Sequence, residues 1–313
     1  MTDFTYDLVV IGGGPAGATA AHDAVRAGRS VLLLDRAGRV KPCGGAIPPR
    51  ALRDFAIPDS MLVARATCAR MVSPSDAHVD IAIEGGFVGM VDRAQFDEWL
   101  RVRAAESGAE RRTGHFERLE RDADGVRRVH FHTGHGDTPP RADSVRARCV
   151  VGADGARSAV ARQAIPGAER GRFVFAYHEV VQAPAADAPL NPHYDPSRCD
   201  IYYRGNLSPD FYSWVFPHGD TLSIGTGSAD KGCSMRGAIT RLRAASGLAE
   251  ATTLRREGAP LPLKPLPRWD DGRDVVLAGD AAGLVAPAGV SAFSDSAMSV
   301  AVETPTFSFS NSP

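Results

Sequence analysis

Short apolar runs that break at glycine recur along the chain, and three of them share one pattern. Asp7-Leu-Val-Val-Ile11 is apolar and β-branched, as a buried strand is, and Gly12-Gly-Gly-Pro-Ala-Gly17 follows at once. Alanine-rich Ala18–Ala27 predicts a helix that Gly28 stops, and Ser30-Val-Leu-Leu-Leu34 predicts a second buried strand ending at Asp35. Ala147–Val151 runs into Gly152-Ala-Asp-Gly-Ala-Arg-Ser158, with a helix expected around Val160 and Ala161. Asp274–Ala278 runs into Gly279-Asp-Ala-Ala-Gly283. Between these, Val79–Ile83 and Phe87–Val91 flank Glu84-Gly-Gly86 and predict a hairpin. Asp92 reads as an N-cap, with Gln95 in the capping-box position. The stripe Phe96, Trp99, Leu100, Arg103 continues that helix toward Gly108, and 113–121 with 126–133 form an antiparallel pair around Asp124-Gly125.

From Arg172 to about Pro267 the pattern turns to strands: 173–181, 200–204, 211–216 and 221–226, with a turn at Pro217-His-Gly-Asp220 that leaves His218 in solvent. One helix is expected within 236–257, then an extended proline-rich segment, Pro260–Pro267. Period two places Tyr212, Trp214 and Phe216 on one strand face, read as the wall of an apolar cavity. The predicted architecture is α/β. One discontinuous unit covers 1–72, 92–170 and 268–288, and an antiparallel-sheet unit covers 73–91 and 171–267. Residues 289–313 are serine-rich and lack helical periodicity.

Composition narrows the function classes. The 313 residues carry a formal charge of −1, with acidic residues interleaved among the arginines, so no global field recruits nucleic acid. The 33 arginines against 3 lysines fit a GC-rich genome. Five scattered cysteines with no C-x-x-C pair indicate neither a metal site nor a disulfide framework, so a reducing, cytoplasmic setting is expected. No secretory leader is seen. Apolar runs such as Val31–Leu34 fall far short of the ~20 residues of a spanning helix. Any membrane contact would be peripheral.

The first pattern carries chemistry. Strand, G-x-G-x-x-G, helix, strand and acid stand in order within thirty residues. Gly12 permits the tight turn, Gly14 lets backbone approach a pyrophosphate, and Gly17 lets helix and strand pack closely. The helix start offers its free N–H groups to phosphate. Asp35, 18 residues beyond Gly17, is placed to accept from ribose hydroxyls. Asp154 and Arg157 are polar groups at another strand's carboxyl end. The glycine- and proline-rich Lys41-Pro-Cys-Gly-Gly-Ala-Ile-Pro-Pro49 is a loop suited to bring backbone near a ligand.

In this order, Gly12–Gly17, Gly152-Ala-Asp-Gly155 and Leu277-Ala-Gly-Asp-Ala-Ala282 resemble the FAD-dependent family of the aromatic-hydroxylase fold. The Lys41–Pro49 loop and Tyr212-Ser-Trp-Val-Phe-Pro-His-Gly-Asp220 resemble the geranylgeranyl reductases, above all the branch that makes the phytyl tail of chlorophyll or bacteriochlorophyll. The resemblance implies a Rossmann-like FAD-binding domain with an inserted substrate sheet. It implies FAD held by Gly12, Gly14, Pro15, Ala16, Gly17, Asp35, Arg36, Cys43, Gly44, Arg93, Asp154, Gly155, Gly279, Asp280 and Ala281. It further implies NADPH as reductant, an isoprenoid-chain substrate against Tyr212, Trp214 and Phe216, Cys43 beside the flavin as a chemical participant, and work at a photosynthetic membrane. Two other functions are weighed: an oxygen-consuming aromatic monooxygenase on the same fold, and a non-catalytic flavin- or lipid-binding remnant suggested by the tail.

Overall fold

The computed structural model describes residues 4–36, 40–134, 139–185 and 191–284. The atypical segment 289–313 lies outside them. Strands are numbered in chain order. The first sheet is built on β1 (Thr5–Ile11), which pairs in parallel with β2 (Val31–Asp35) on one side and β11 (Arg141–Gly152) on the other. Outside β2 lies β8 (Glu110–Thr113), also parallel. β11 is long enough to take two partners along its far side. Its first half pairs antiparallel with β10 (Arg127–Thr133), which pairs with β9 (His115–Arg121). Its last residues pair in parallel with β17 (Val275–Leu277).

The register aligns the carboxyl ends of these strands. Ile11 stands opposite Leu34 and Gly152, and Gly152 opposite Leu277. All three glycine-rich turns therefore leave the sheet along one edge, where open parallel sheets bind ligands. Val9, Val10, Leu32, Leu33 and Val150 are fully buried, as expected of strands covered on both faces. One face carries α1 (Pro15–Arg26) and α3 (Arg93–Glu106). The other carries α4 (Ala159–Ala164), clustered with Phe116 and Phe131. The helix boundaries follow the signals read in the sequence: Asp92 accepts from the Ala94 and Gln95 amides, and α1 ends just before Gly28, whose φ is +77°.

The second sheet runs, among the described residues, β16 (Thr253–Pro262), β12 (Phe173–Gln182), β15 (Thr221–Ser228), β14 (Ser213–His218), β13 (Arg198–Tyr202), β5 (Cys68–Val72) and β6 (His78–Ala82). Its pairs are antiparallel except β13 with β5. α5 (Met235–Ala245) seals one face through Ile239 and Leu242 on Leu222 and Ile224. A small sheet of β3 (Ala46–Ile47), β7 (Val88–Val91) and β4 (Leu62–Ala66) contributes to the cores of both units; α2 (Pro49–Asp54) follows β3. No helix among the described residues is long and apolar enough to cross a membrane.

Three expectations change. The strands at 79–83 and 87–91 exist but do not pair with each other. β7 is buried at every residue and takes partners on both sides, β3 and β4, whereas the exposed β6 takes the edge of the second sheet. The boundary drawn after residue 72 also moves, because Cys68–Val72 pairs with β13 and belongs to the second sheet. The helix within 236–257 stops at Ala245: Ser246 caps it, Gly247 turns the chain at φ +67°, and Thr253 begins a strand that reaches into the proline-rich segment.

Candidate functional site

The first loop is built by close contact with the other two. Gly12 donates to the Leu34 carbonyl at 2.8 Å and has a φ of +109°. A Cβ there would stand 2.3 Å from the Ala153 carbonyl oxygen, and one on Gly17 would stand 1.9 Å from the Gly12 oxygen. A Cβ on Gly279 would meet that of Ala16 at 2.8 Å. At Gly14 and Gly155 the situation is opposite: an added Cβ meets no atom within 4 Å. The turns after β1, β11 and β17 therefore touch one another while two of their glycines face open space.

Charge gathers at this edge. Asp35 lies under Gly13, and Arg101 on α3 donates to the Gly13 carbonyl at 3.1 Å and approaches the Asp35 carboxylate at 3.4 Å. Lys41 forms an ion pair with Asp280, tying the 41–49 loop to the turn after β17. Neither Arg101 nor Lys41 was singled out from the sequence. Arg101 sits on a polar helix position with no motif around it, and Lys41 stands inside a motif read for its glycines and cysteine. Asp154 turns inward: its carboxylate accepts from Ser158 Oγ and from the Ala159 and Val160 amides, so it builds the start of α4. Arg36 is exposed. Gly155 adopts φ +90° and Ala281 is buried.

Arg93 is buried and bidentate to Asp97, with both bonds at 2.8 Å. Burial works against its charge, but Cys43 and Asp97 more than offset that, so its pKa stands above the ordinary arginine value. Cys43 is exposed and lines a cavity of about 160 Å³ with Lys41, Arg93, His178, His218 and Ser223. The predicted aromatic wall takes a different place. Tyr212, Trp214 and Phe216 form a ladder with centroids 5.9 and 6.2 Å apart. Trp214 and Phe216 belong to the core between sheets, beneath the loop: a Cβ on Gly44 would touch Phe216 at 3.2 Å. These rings support the Cys43 loop from below, and the cavity itself is lined by polar side chains together with Val40, Val63, Val91 and Val180.

His218 is also corrected. β14 runs through it, paired with Thr221, so its ring faces the cavity beside Gly45 and is half-buried. Burial pushes its pKa down to about 4, against a smaller rise from its bond to the Phe216 carbonyl. A histidine held neutral in the fold takes up its proton on unfolding, so stability rises with pH between about 4 and 6.5. In urea unfolding across that window, His218→Gln is expected to remove up to about 3 kcal/mol of the acid-side loss. An unchanged pH slope contradicts a ring held neutral in the fold.

The FAD binding domain family matches residues 5–292. A geranylgeranyl diphosphate reductase from Rhodobacter capsulatus is 57% identical over 282 residues, covering 90% of this chain and 70% of that one. The chain belongs to the geranylgeranyl reductase family of FAD-binding proteins. The chloroplastic geranylgeranyl diphosphate reductase of Oryza sativa is 36% identical over 89% of this chain, which spans 61% of that relative's length. A geranylgeranyl bacteriochlorophyll reductase-like protein from Thermoplasma acidophilum shares the fold, with a TM-score of 0.77 at 24% identity, covering 90% of this chain and 72% of that one. A geranylgeranyl reductase needs a cradle for FAD, and the edge fits that need: Gly14 and Gly155 leave room for a ligand, and lysine and arginine lie beside it.

Proposed function

We propose that the edge loops hold one FAD and that the chain, with its flavin reduced by NADPH, saturates isolated double bonds of a geranylgeranyl chain. The turn Gly12–Gly17 with Pro15 and Ala16 takes the pyrophosphate, Asp35 the adenosine ribose, and Gly279, Asp280 and Ala281 the riboflavin side. The observation that carries this reading is the Lys41–Asp280 ion pair. It fastens the Cys43 loop to the flavin turn, so the cavity lined by Cys43 opens beside the flavin cradle. Such an alkene has no carbonyl to polarise. The reduced flavin supplies hydride when bound, and the chain's task is to orient the alkene, exclude water and supply a proton to the other carbon. The cavity's apolar lining, Val40, Val63, Val91 and Val180, suits a lipid tail, with ~0.8 kcal/mol gained per buried CH₂. The substrate is the free diphosphate or a pigment ester of the same chain.

The test is anaerobic. FAD-loaded chain is reduced with dithionite and mixed with geranylgeranyl diphosphate. The expected result is return of the oxidised flavin spectrum with a product two hydrogens heavier per flavin. A flavin that stays reduced until air enters, with oxygen then consumed on a phenol, favours the monooxygenase reading instead.

A further inference from the structure

His178 on β12 is buried at the cavity wall, 4% exposed. Its Nδ1 lies 2.9 Å from Ser223 Oγ and its Nε2 3.0 Å from Glu257 Oε2. Trp214 Nε1 donates to the same Ser223 oxygen at 3.1 Å. An indole N–H only donates. When the imidazole is charged, both of its N–H groups donate as well: one to Glu257, one to Ser223. The Ser223 oxygen then accepts two hydrogen bonds, and its own O–H must turn to a third partner. The cavity, which His178 and Ser223 both line, offers that direction. When the imidazole is neutral with its proton on Nε2, Nδ1 takes the serine hydroxyl back. The charge on His178 thus turns the Ser223 hydroxyl into or out of the cavity.

We propose that His178, with Glu257 as counter-ion and Ser223 as hydroxyl bridge, is the proton store for the alkene reduction; this rests on the function proposed above. Where bound reduced flavin would supply a hydride to one alkene carbon, the Ser223 proton bonds to the other carbon as the π bond breaks. Ser223 regains a proton from His178 Nδ1, which leaves a neutral imidazole against Glu257. Water entering the emptied cavity recharges it.

The surroundings favour a donor. Burial holds the His178 pKa below the ordinary value; Glu257, whose other carboxylate oxygen pairs with Arg255 on the same strand at 2.8 Å, works against that and Arg255 works with it. His218 on β14 faces His178 and is itself held neutral by burial. Thr221 on β15 carries no charge. Lys41 and Arg93 also line the cavity, each held by an acid of its own, and Asp92 and Cys43 are the remaining ionisable groups of the lining.

In the anaerobic reoxidation experiment, the wild-type rate falls as pH rises through the titration of His178. Glu257→Gln removes the counter-ion, so the fall moves to lower pH and the neutral-pH rate drops about 10²-fold, with FAD content unchanged. A purely structural pair leaves the profile in place, and an unmoved profile in an active, folded variant overturns the proposal alone. If Glu257→Gln does not fold, Ser223→Ala takes its place: a rate within twofold of wild type overturns the proposal, and a loss of about 10²-fold supports it. Histidine ¹⁵N spectra of the full flavin-free chain add a readout without turnover. A His178 protonated on both nitrogens at the acid end supports the store, and one that stays neutral throughout the active pH range overturns it. A wild-type chain that never reoxidises with substrate overturns the functional reading, and the proposal with it.

Discussion

Gly14→Val is expected to give a folded chain that carries almost no FAD. Gly14 has φ −72° and ψ −178°, a backbone any residue adopts. A Cβ there meets no protein atom within 4 Å. The cost to the fold is that of a poorer N-cap for α1, about 1 kcal/mol. The valine methyl groups project into the space assigned to the pyrophosphate, so the cost falls on the ligand. The neighbouring glycines cannot make this separation. At Gly12 and Gly17 a Cβ collides with backbone oxygen at 2.3 and 1.9 Å, so alanine there disrupts the loop itself. The ratio of flavin to protein absorbance in purified Gly14→Val, read beside its circular dichroism melt, checks the prediction. A folded variant with a full complement of FAD contradicts the assigned cradle.

Arg93→Leu is expected to cost the fold about 3–5 kcal/mol. Arg93 and Asp97 form a bidentate pair with side chains only 10% and 6% exposed. Leucine leaves the Asp97 carboxylate buried without its partner, next to Phe96 and Leu100 in the core under α3. Replacing both residues with leucine removes the stranded charge and should recover most of the loss, because a buried pair contributes less than its half-removal costs. Urea unfolding of both variants decides it. A loss below about 1 kcal/mol in Arg93→Leu contradicts a desolvated pair at that position.

The meeting of the three glycine-rich turns at one sheet edge was legible in the sequence because each of its pieces is local. A buried strand, a glycine turn and a helix or acid follow one another without interruption, and parallel register brings the three pieces to one edge. Elements whose signal is non-local were hidden. Glu110-Arg-Arg-Thr113 is polar and mostly exposed because β8 is an edge strand, so no apolar alternation marks it. β7 showed as a strand, but its partners are chosen by burial on both sides, which the chain reveals only once folded. His218 looked like a turn residue because Pro-His-Gly-Asp is turn chemistry, yet the strand pairing extends through it before Gly219 turns at φ +67°. Arg101 and the His178–Glu257 pair bring together residues far apart in the chain, with no spacing rule to announce them.

In the proposed function, three separated loops meet around one FAD. Hydrogen exchange of the backbone amides, measured with and without one equivalent of FAD, reports on all three loops at once. The amides after β1 at Gly13, Gly14 and Ala16, after β11 at Gly155, and after β17 at Asp280 and Ala281 are expected to slow together as FAD saturates. FAD bound at full occupancy with any one of these three loops exchanging at its flavin-free rate contradicts the shared cradle.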